Sequence, residues 1–247
     1  MTKEAKVREP LLHVVLPSRC MQDAVPALLP FLSFIKPWPS IKIHLYLNNI
    51  TKLKRSNIPK LFGTYALCIE HNPHTIENCE NSWPLFMVNT LKRFRTDLQN
   101  DVCDIKSTYI MYLNDDIYLD GIDKIILDII NGTVTDKTAI APTIDPMYDN
   151  EGDWHKDAMR YFDWWGLVTS GSWLRSLIDA LHFLHDNGIT AGSGPLATAK
   201  VVGACDGEIT RLEGATAYVI KKTANKSGQI ENSLNMLACV IFQGNNF

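Results

Sequence analysis

No apolar run in this chain is long enough to cross a membrane. A spanning helix needs about 20 predominantly apolar residues. The longest candidate, AVPALLPFLSFIKPW, is interrupted by Pro26 and Pro30. The opening residues, MTKEAKVREP, are polar and lack the apolar segment of a secretory signal. An excess of one charge is also missing. The 24 Lys and Arg against 27 Asp and Glu leave a formal net charge of −3, with no long-range pull toward nucleic acid or a membrane surface. These absences predict a soluble, cytoplasmic protein with no nucleic-acid partner, whose six cysteines stay reduced. Tight metal hooks are absent too. Cys68, His71, His74 and Cys79 cluster in CIEHNPHTIENC, but not at the C-x-x-C or H-x-x-x-H spacing of zinc sites. The plain reading there is a core cysteine on a strand, followed by a polar loop.

What is present is an ordinary globular composition, 46% hydrophobic and 21% charged over 247 residues. LLHVVLP (11–17) has the continuous apolar character of a buried strand. A proline-punctuated helical stretch follows to about Pro37. IKIHLYLNN places Ile41, Ile43, Leu45 and Leu47 at period two, which marks a strand. TYALCIEHN reads as a third strand. From Ser82 to Asn100, Leu85, Val88, Leu91 and Leu98 recur at helical spacing, with Ser82 as cap and Pro84 in the first turn. A strand from Thr108 to Asn114, a helix carrying Ile122, Ile125, Ile126, Ile129 and Ile130, and the strand TAIAPTI come next.

WWGLVTSG reads as a strand and SWLRSLIDALHFLHDNG as an amphipathic helix stopped by Gly188. GITAGSGPLATAK is expected to be a flexible Gly/Ser-rich loop, CDGEITRLEG one short helix, and ATAYVIKK a final strand. The apolar tail LNMLACVIFQGNNF ends abruptly, as it would in a module of a longer protein. Apolar strands separated by helices predict an α/β fold: a Rossmann-like, mostly parallel central sheet with helices on both faces.

In YIMYLNDDIYLDG (109–121) a buried-looking strand runs straight into Asn114, Asp115 and Asp116. Sheets of this kind bind ligands beyond the carboxyl ends of their strands, so the carboxylates fall where chemistry is expected. Adjacent carboxylates there can hold a divalent cation, which takes hard oxygen ligands and bridges to phosphates. They can act as an acid and base pair. Alternatively, Asp116 or Asp120 can cap the helix that begins near Ile122. The residues alone leave all three open.

Other strand ends extend the pattern. Pro17, Ser18 and Arg19 follow the first strand, Asn48 and Asn49 the second, and Asn114-Asp115-Asp116 the fourth; ACDGEITRLEGATAYVI lies downstream. This array resembles the GT-A fold glycosyltransferases, most of all the inverting family 2 type of nucleotide-sugar transferase. The resemblance runs from residue 11 to residue 221. It implies a single domain over 1–247, with a nucleotide-binding half to about residue 115 and an acceptor-binding half after it. It implies donor contacts from Pro17, Ser18, Arg19, Asn48, Asn49, Asn114 and Asp115, with Arg93 available to phosphate oxygens. Asp116 is the implied metal ligand, for Mn2+ or Mg2+ on the diphosphate of a UDP-sugar. Asp206, or Glu208, is the implied general base, followed by Arg211 and Gly214.

Two departures stand out: Asn114 replaces the first acid of the family's DxD motif, and the spacing from the acid to Arg211 is off by one. Asp163, Trp164 and Trp165 in YFDWW fit an acceptor site, because the C–H faces of sugars stack on aromatic rings. Adjacent strand residues point to opposite faces, so one tryptophan is expected in the core. The polar segment 145–160, with Trp154 and His155, is a candidate lid over the donor. The implied reaction moves a sugar from a nucleotide-sugar donor to a hydroxyl of a glycan acceptor. Two rivals stand beside it. A sugar-nucleotide nucleotidyltransferase needs a Gly-rich phosphate loop after the first strand, and LPSRCMQDAVP has no glycine. A non-catalytic carbohydrate- or nucleotide-binding module accommodates Asn114.

Overall fold

The structure, a computed structural model, describes residues 12–18, 41–47, 74–75, 83–101, 104–144, 164–189 and 193–219, with the helical residues 24, 27, 28, 30 and 31. The strands are β1 (Leu12–Ser18), β2 (Ile41–Leu47), β3 (His74–Thr75), β4 (Tyr109–Leu113), β5 (Ile117–Asp120), β6 (Thr138–Ile144), β7 (Trp165–Ser170) and β8 (Glu208–Val219). The helices are α1 (Trp83–Asp101), α2 (Ile122–Ile130), α3 (Trp173–Asp186) and α4 (Ser193–Ala204).

All the strands join one eight-stranded sheet in the order β3-β2-β1-β4-β7-β6-β8-β5. β1, β2, β3 and β4 run in parallel, as do β6 and β8. β7 lies antiparallel to both β4 and β6, so β6 and β8 share the direction of β1–β4. β5 runs against β8. The sheet is mixed rather than purely parallel: six of the eight described strands share one direction, as a mostly parallel sheet requires, and β5 and β7 are reversed. A strand buried on both faces has the same composition in either direction, so reversal of β7 leaves no mark on composition.

Helices cover both faces, as expected. On one face, Leu12, Val14, Leu16, Ile41, Ile43, Leu45, Met111 and Leu113 meet the stripe Ala24, Ala27, Leu28, Phe31 and the buried isoleucines of α2. On the other, Val15, Tyr46, Ile110, Tyr112 and Leu167 meet Phe86, Leu91 and Phe94 of α1, Leu174, Leu177 and Leu181 of α3, and Ala197 and Val201 of α4. Period two in the strands and spacings of three and four in the helices place these side chains. Among the described residues no helix is long and apolar enough to cross a membrane.

Three local expectations change. Ser193–Ala204, expected in a Gly/Ser-rich loop, is helix α4: Pro195 occupies its first turn, where a missing N–H costs nothing, and Ala197, Thr198 and Val201 face inward. CDGEITRLEG is a turn at Cys205–Asp206 followed by the first half of β8, whose β-branched Ile209 and Thr210 suit a strand. Ile117–Asp120, not read as a strand, pairs with the upper half of β8. The strand expected over TYALCIEHN, the cap at Ser82, Cys68, His71 and Cys79 of the cysteine cluster, the 145–160 segment with Trp154 and His155, and the C-terminal tail all lie outside the described residues.

The entry to α2 depends on a close approach. Gly121 has φ +79°, and a Cβ there would run into the Gly214 carbonyl oxygen of β8. Gly121→Ala should lower stability by about 2 kcal/mol or more, the sum of left-handed strain and a displaced strand. Urea denaturation would measure it, and an unchanged midpoint would contradict the packing.

The approach to β6 is pinned to the end of β7 and the start of α3 by Asp136. The Ser170 hydroxyl donates to Asp136 Oδ1 at 2.8 Å, and Trp173 Nε1 donates to the Asp136 carbonyl at 2.8 Å. Hydrogen bonds from Ser170 and then Ser172, helped by the charge of Lys106, hold this carboxyl below its ordinary range against a small desolvation effect. A depressed folded pKa stabilises above the unfolded value of about 4 and is lost as pH falls through the folded value. In a pH series of urea midpoints, Asp136→Asn should be less stable than wild type at neutral pH. The gap should close below about pH 4, where wild type loses the same contribution.

Candidate active site at the carboxyl edge of the sheet

The register of β1 on β4 places Leu12 opposite Tyr109 and Val15 opposite Tyr112. The same 97-residue offset, carried past the paired stretch, brings Ser18 to Asp115. The Ser18 hydroxyl donates to Asp115 Oδ2 at 2.7 Å, in a buried setting. Asp115 is only 8% exposed. A carboxylate so enclosed is costly unless hydrogen bonds hold it, and a hydroxyl donor satisfies part of that need. Pro17 is buried just before Ser18, beyond the stretch of β1 that pairs with β4, so its missing N–H breaks no bond on that side.

The chain then turns. Asn114 N–H donates to the Trp164 carbonyl at 2.9 Å, and Ile117 N–H donates to the Asn114 carbonyl at 3.4 Å. This ties Asn114 to the entry of β7 and returns the chain into β5. Asp116 lies in the turn, half-buried, with its Oδ1 sealed from solvent. The floor beneath is apolar: Leu113, Ile117 and Trp165 belong to one core layer. The mouth thus gathers Ser18, Asn114, Asp115 and Asp116 from strand ends far apart in sequence. Their oxygens suit a hard divalent cation. Among the described residues no three His, Cys, Asp or Glu groups stand together as a complete cage. The pair fits Mg2+ or Mn2+, which accept one or two carboxylates and complete their shell with water and phosphate oxygens.

The other expected site residues divide. Trp164 and Trp165 do point to opposite faces, but both are buried. Trp164 donates from Nε1 to Thr198 Oγ1 at 3.1 Å and packs against Tyr112, with ring centroids 5.2 Å apart. Their faces serve the core, and the expected sugar stacking on either is withdrawn. Arg93 directs Nε to Asp97 Oδ1 at 2.9 Å, and Asp97 also accepts from the Tyr46 hydroxyl at 2.7 Å. Arg93 therefore has a structural task, offsetting the charge of a buried aspartate. Arg19, Asn48, Asn49 and Asp163 lie outside the described residues.

Asp206 and Glu208 sit elsewhere. Glu208 is level with Thr138 at the start of β6, at the amino edge of the sheet. From there to Asp115 is about 20 Å along the strands and about 14 Å across three strand spacings. Asp206 is fully exposed beside Lys137, at 3.8 Å, and adopts φ 50° in the turn before β8. Aspartate tolerates that left-handed conformation better than most residues, which accounts for it there. The short helix expected to carry a general base is absent, Arg211 donates instead to the Pro142 carbonyl, and Gly214 bends β8. The general-base expectation for Asp206 and Glu208 is not met by this geometry.

Among solved structures, the chain is similar to an active-site mutant of LgtC, with a TM-score of 0.51 at 12% identity, covering 92% of this chain and 95% of that one. The fold is that of a GT-A glycosyltransferase. The crystal structure of the galactosyltransferase LgtC with donor and acceptor sugar analogues also matches, with a TM-score of 0.46 at 12% identity, over 81% of this chain and 73% of that one. No protein-family model matches the sequence, and no curated protein matches it. The fold that the resemblance implied, GT-A, is shared with the LgtC mutant; the inverting family 2 type is not supported by that neighbour.

The sequence pointed to Ser18 as a donor contact but not as the anchor of Asp115. Its signal was the equal offset of the two strands, readable only once their register is known. Ser18→Ala should cost about 2 kcal/mol, since it removes a hydrogen bond to a buried charge. Denaturant titration checks this, and Ser18→Thr, which keeps the hydroxyl, should recover most of the loss.

Proposed function

We propose that this chain is a glycosyltransferase that moves a sugar from a nucleoside-diphosphate donor, best matched by a UDP-sugar, to a hydroxyl of a glycan acceptor. The observation that carries the reading is the Asn114-Asp115-Asp116 turn, held by Ser18 at the carboxyl edge of a GT-A sheet. Asp115 and Asp116 are the residues that would hold Mn2+ or Mg2+, which when bound supplies Lewis-acid stabilisation of charge on a departing diphosphate.

The chain's own contribution is positioning. Ser18 fixes the orientation of Asp115, so its carboxylate is set before any ligand arrives. The backbone of Asn114 fixes the turn against Trp164. A neutral Asn114 side chain, where the family has an acid, leaves two adjacent negative charges to be offset rather than three near one another. Repulsion against the donor's phosphates is reduced accordingly. The apolar floor excludes water from beneath the carboxylates, which strengthens their electrostatic interactions. With Asp206 and Glu208 at the far edge, the reading assigns no general base and no stereochemical course.

Calorimetric titration of UDP, with and without Mn2+, tests the donor half of the reading. Binding is expected only with the metal. Asp116→Ala should weaken it at least tenfold, about 1.4 kcal/mol. Asp206→Asn should stay within twofold of wild type. Equal UDP affinity with and without Mn2+, or in Asp116→Ala, would overturn the assignment.

A further inference from the structure

β5 leaves the Asp115–Asp116 turn directly and forms an edge of the sheet with β8. Their register sets Tyr118 opposite Tyr218 and Asp120 opposite Thr216. Side chains alternate along strands, so these four share a face, while Ile117, Leu119 and Ala217 take the other face and enter the core. Thr143 of β6 extends the patch: its Oγ1 lies 3.3 Å from that of Thr216 and 2.9 Å from the Ala215 carbonyl. Among the described residues, the core closed by α1, α3 and α4 on this side reaches Ala141 of β6 and Ile209 of β8. Tyr218 keeps 39% of its surface exposed, Tyr118 is half-buried and Asp120 is exposed.

We propose that this face is the acceptor subsite, on which a neutral pyranose seats its C–H face on Tyr118 and Tyr218 and directs hydroxyls to Asp120, Thr143 and Thr216. The proposal rests on the transferase reading above and names the surface that the buried tryptophans cannot supply. Three observations select this occupant. The two rings are inclined by 55° with centroids 6.3 Å apart, presenting two apolar faces at an angle; sugars meet aromatics through such faces. Beside them stand a carboxylate that only accepts hydrogen bonds, the Thr216 hydroxyl, and the Thr143 oxygen, whose own proton goes to the Ala215 carbonyl and which is left to accept, a complement to sugar hydroxyls. Asp120 disfavours anionic sugars and acidic lipid headgroups. The patch is also continuous with the donor mouth, since Tyr118 follows Asp116 by about 7 Å of strand.

Saturation-transfer NMR with a mixture of methyl glycosides (glucoside, galactoside, mannoside, xyloside and N-acetylglucosaminide) tests this, each sample run alone and with UDP and Mn2+. At least one glycoside should bind wild type. Tyr218→Ala should reduce its signal at least fivefold, Tyr118→Leu should do the same, and Tyr218→Phe should retain it, with UDP binding within twofold of wild type in all three. Undiminished glycoside binding in both Tyr218→Ala and Tyr118→Leu would overturn the subsite. So would no glycoside binding to a wild type that does bind UDP. Glycoside binding that depends on Tyr218 in a protein that does not bind UDP would support the subsite and count against the transferase reading alone.

Discussion

The structure depends on burying one carboxylate. Asp115 would be an expensive occupant of a nearly closed site, and the Ser18 hydroxyl makes it tolerable. That hydrogen bond can form only if β1 and β4 are adjacent, parallel and in their observed register; a slip of one residue would turn every side chain of β1 to the opposite face. The apolar sets that follow from this register, Val14 and Leu16 on one side and Val15 on the other, then dictate which helices cover which face. The polar mouth and the apolar layers are two expressions of one alignment.

The sequence carried the local parts of this arrangement well. β1, β2, β4, β6, α2 and α3 are written in apolar spacing, because each is amphipathic or fully apolar over its whole length. The Asn-Asp-Asp turn was legible as a candidate site because two carboxylates ending an apolar run need a partner to offset their charge. What failed depended on partners far along the chain. The Gly, Ser and Pro of Ser193–Ala204 signal a loop locally, yet Ala197, Thr198 and Val201 find a buried surface on α3 and Trp164, and the segment becomes helix. Asp206 and Glu208 were implied as bases by the resemblance of ACDGEITRLEGATAYVI to the family's acidic motif; the parallel pairing of β6 with β8 puts the start of β8 at the edge away from Asp115. Strand direction is a pairing property and has no local code. The reversal of β7 is invisible in the sequence for the same reason.

Trp164 and Trp165 were attractive for sugar because the C–H faces of sugars stack on aromatic rings, and they do lie near the mouth, through the carbonyl of Trp164. Their rings are taken by the two core layers on either side of β7, where large aromatic area contributes most by leaving water. The exposed aromatic surface near the mouth is supplied instead by Tyr118 and Tyr218, whose hydroxyls let a ring remain half in solvent.

The position of β5 has a consequence for the site. Four residues long and, among the described residues, bonded to β8 alone, it carries Ile117 and Leu119 into the core, while β1 and β4 are each bonded on both sides. Asp115 is tied to the enclosed pair through Ser18, and Asp116 stands at the root of the edge strand. Two neighbouring carboxylates thus belong to different parts of the sheet, one tied to its interior and one at the root of an outer strand. A ligand that engages both spans the two.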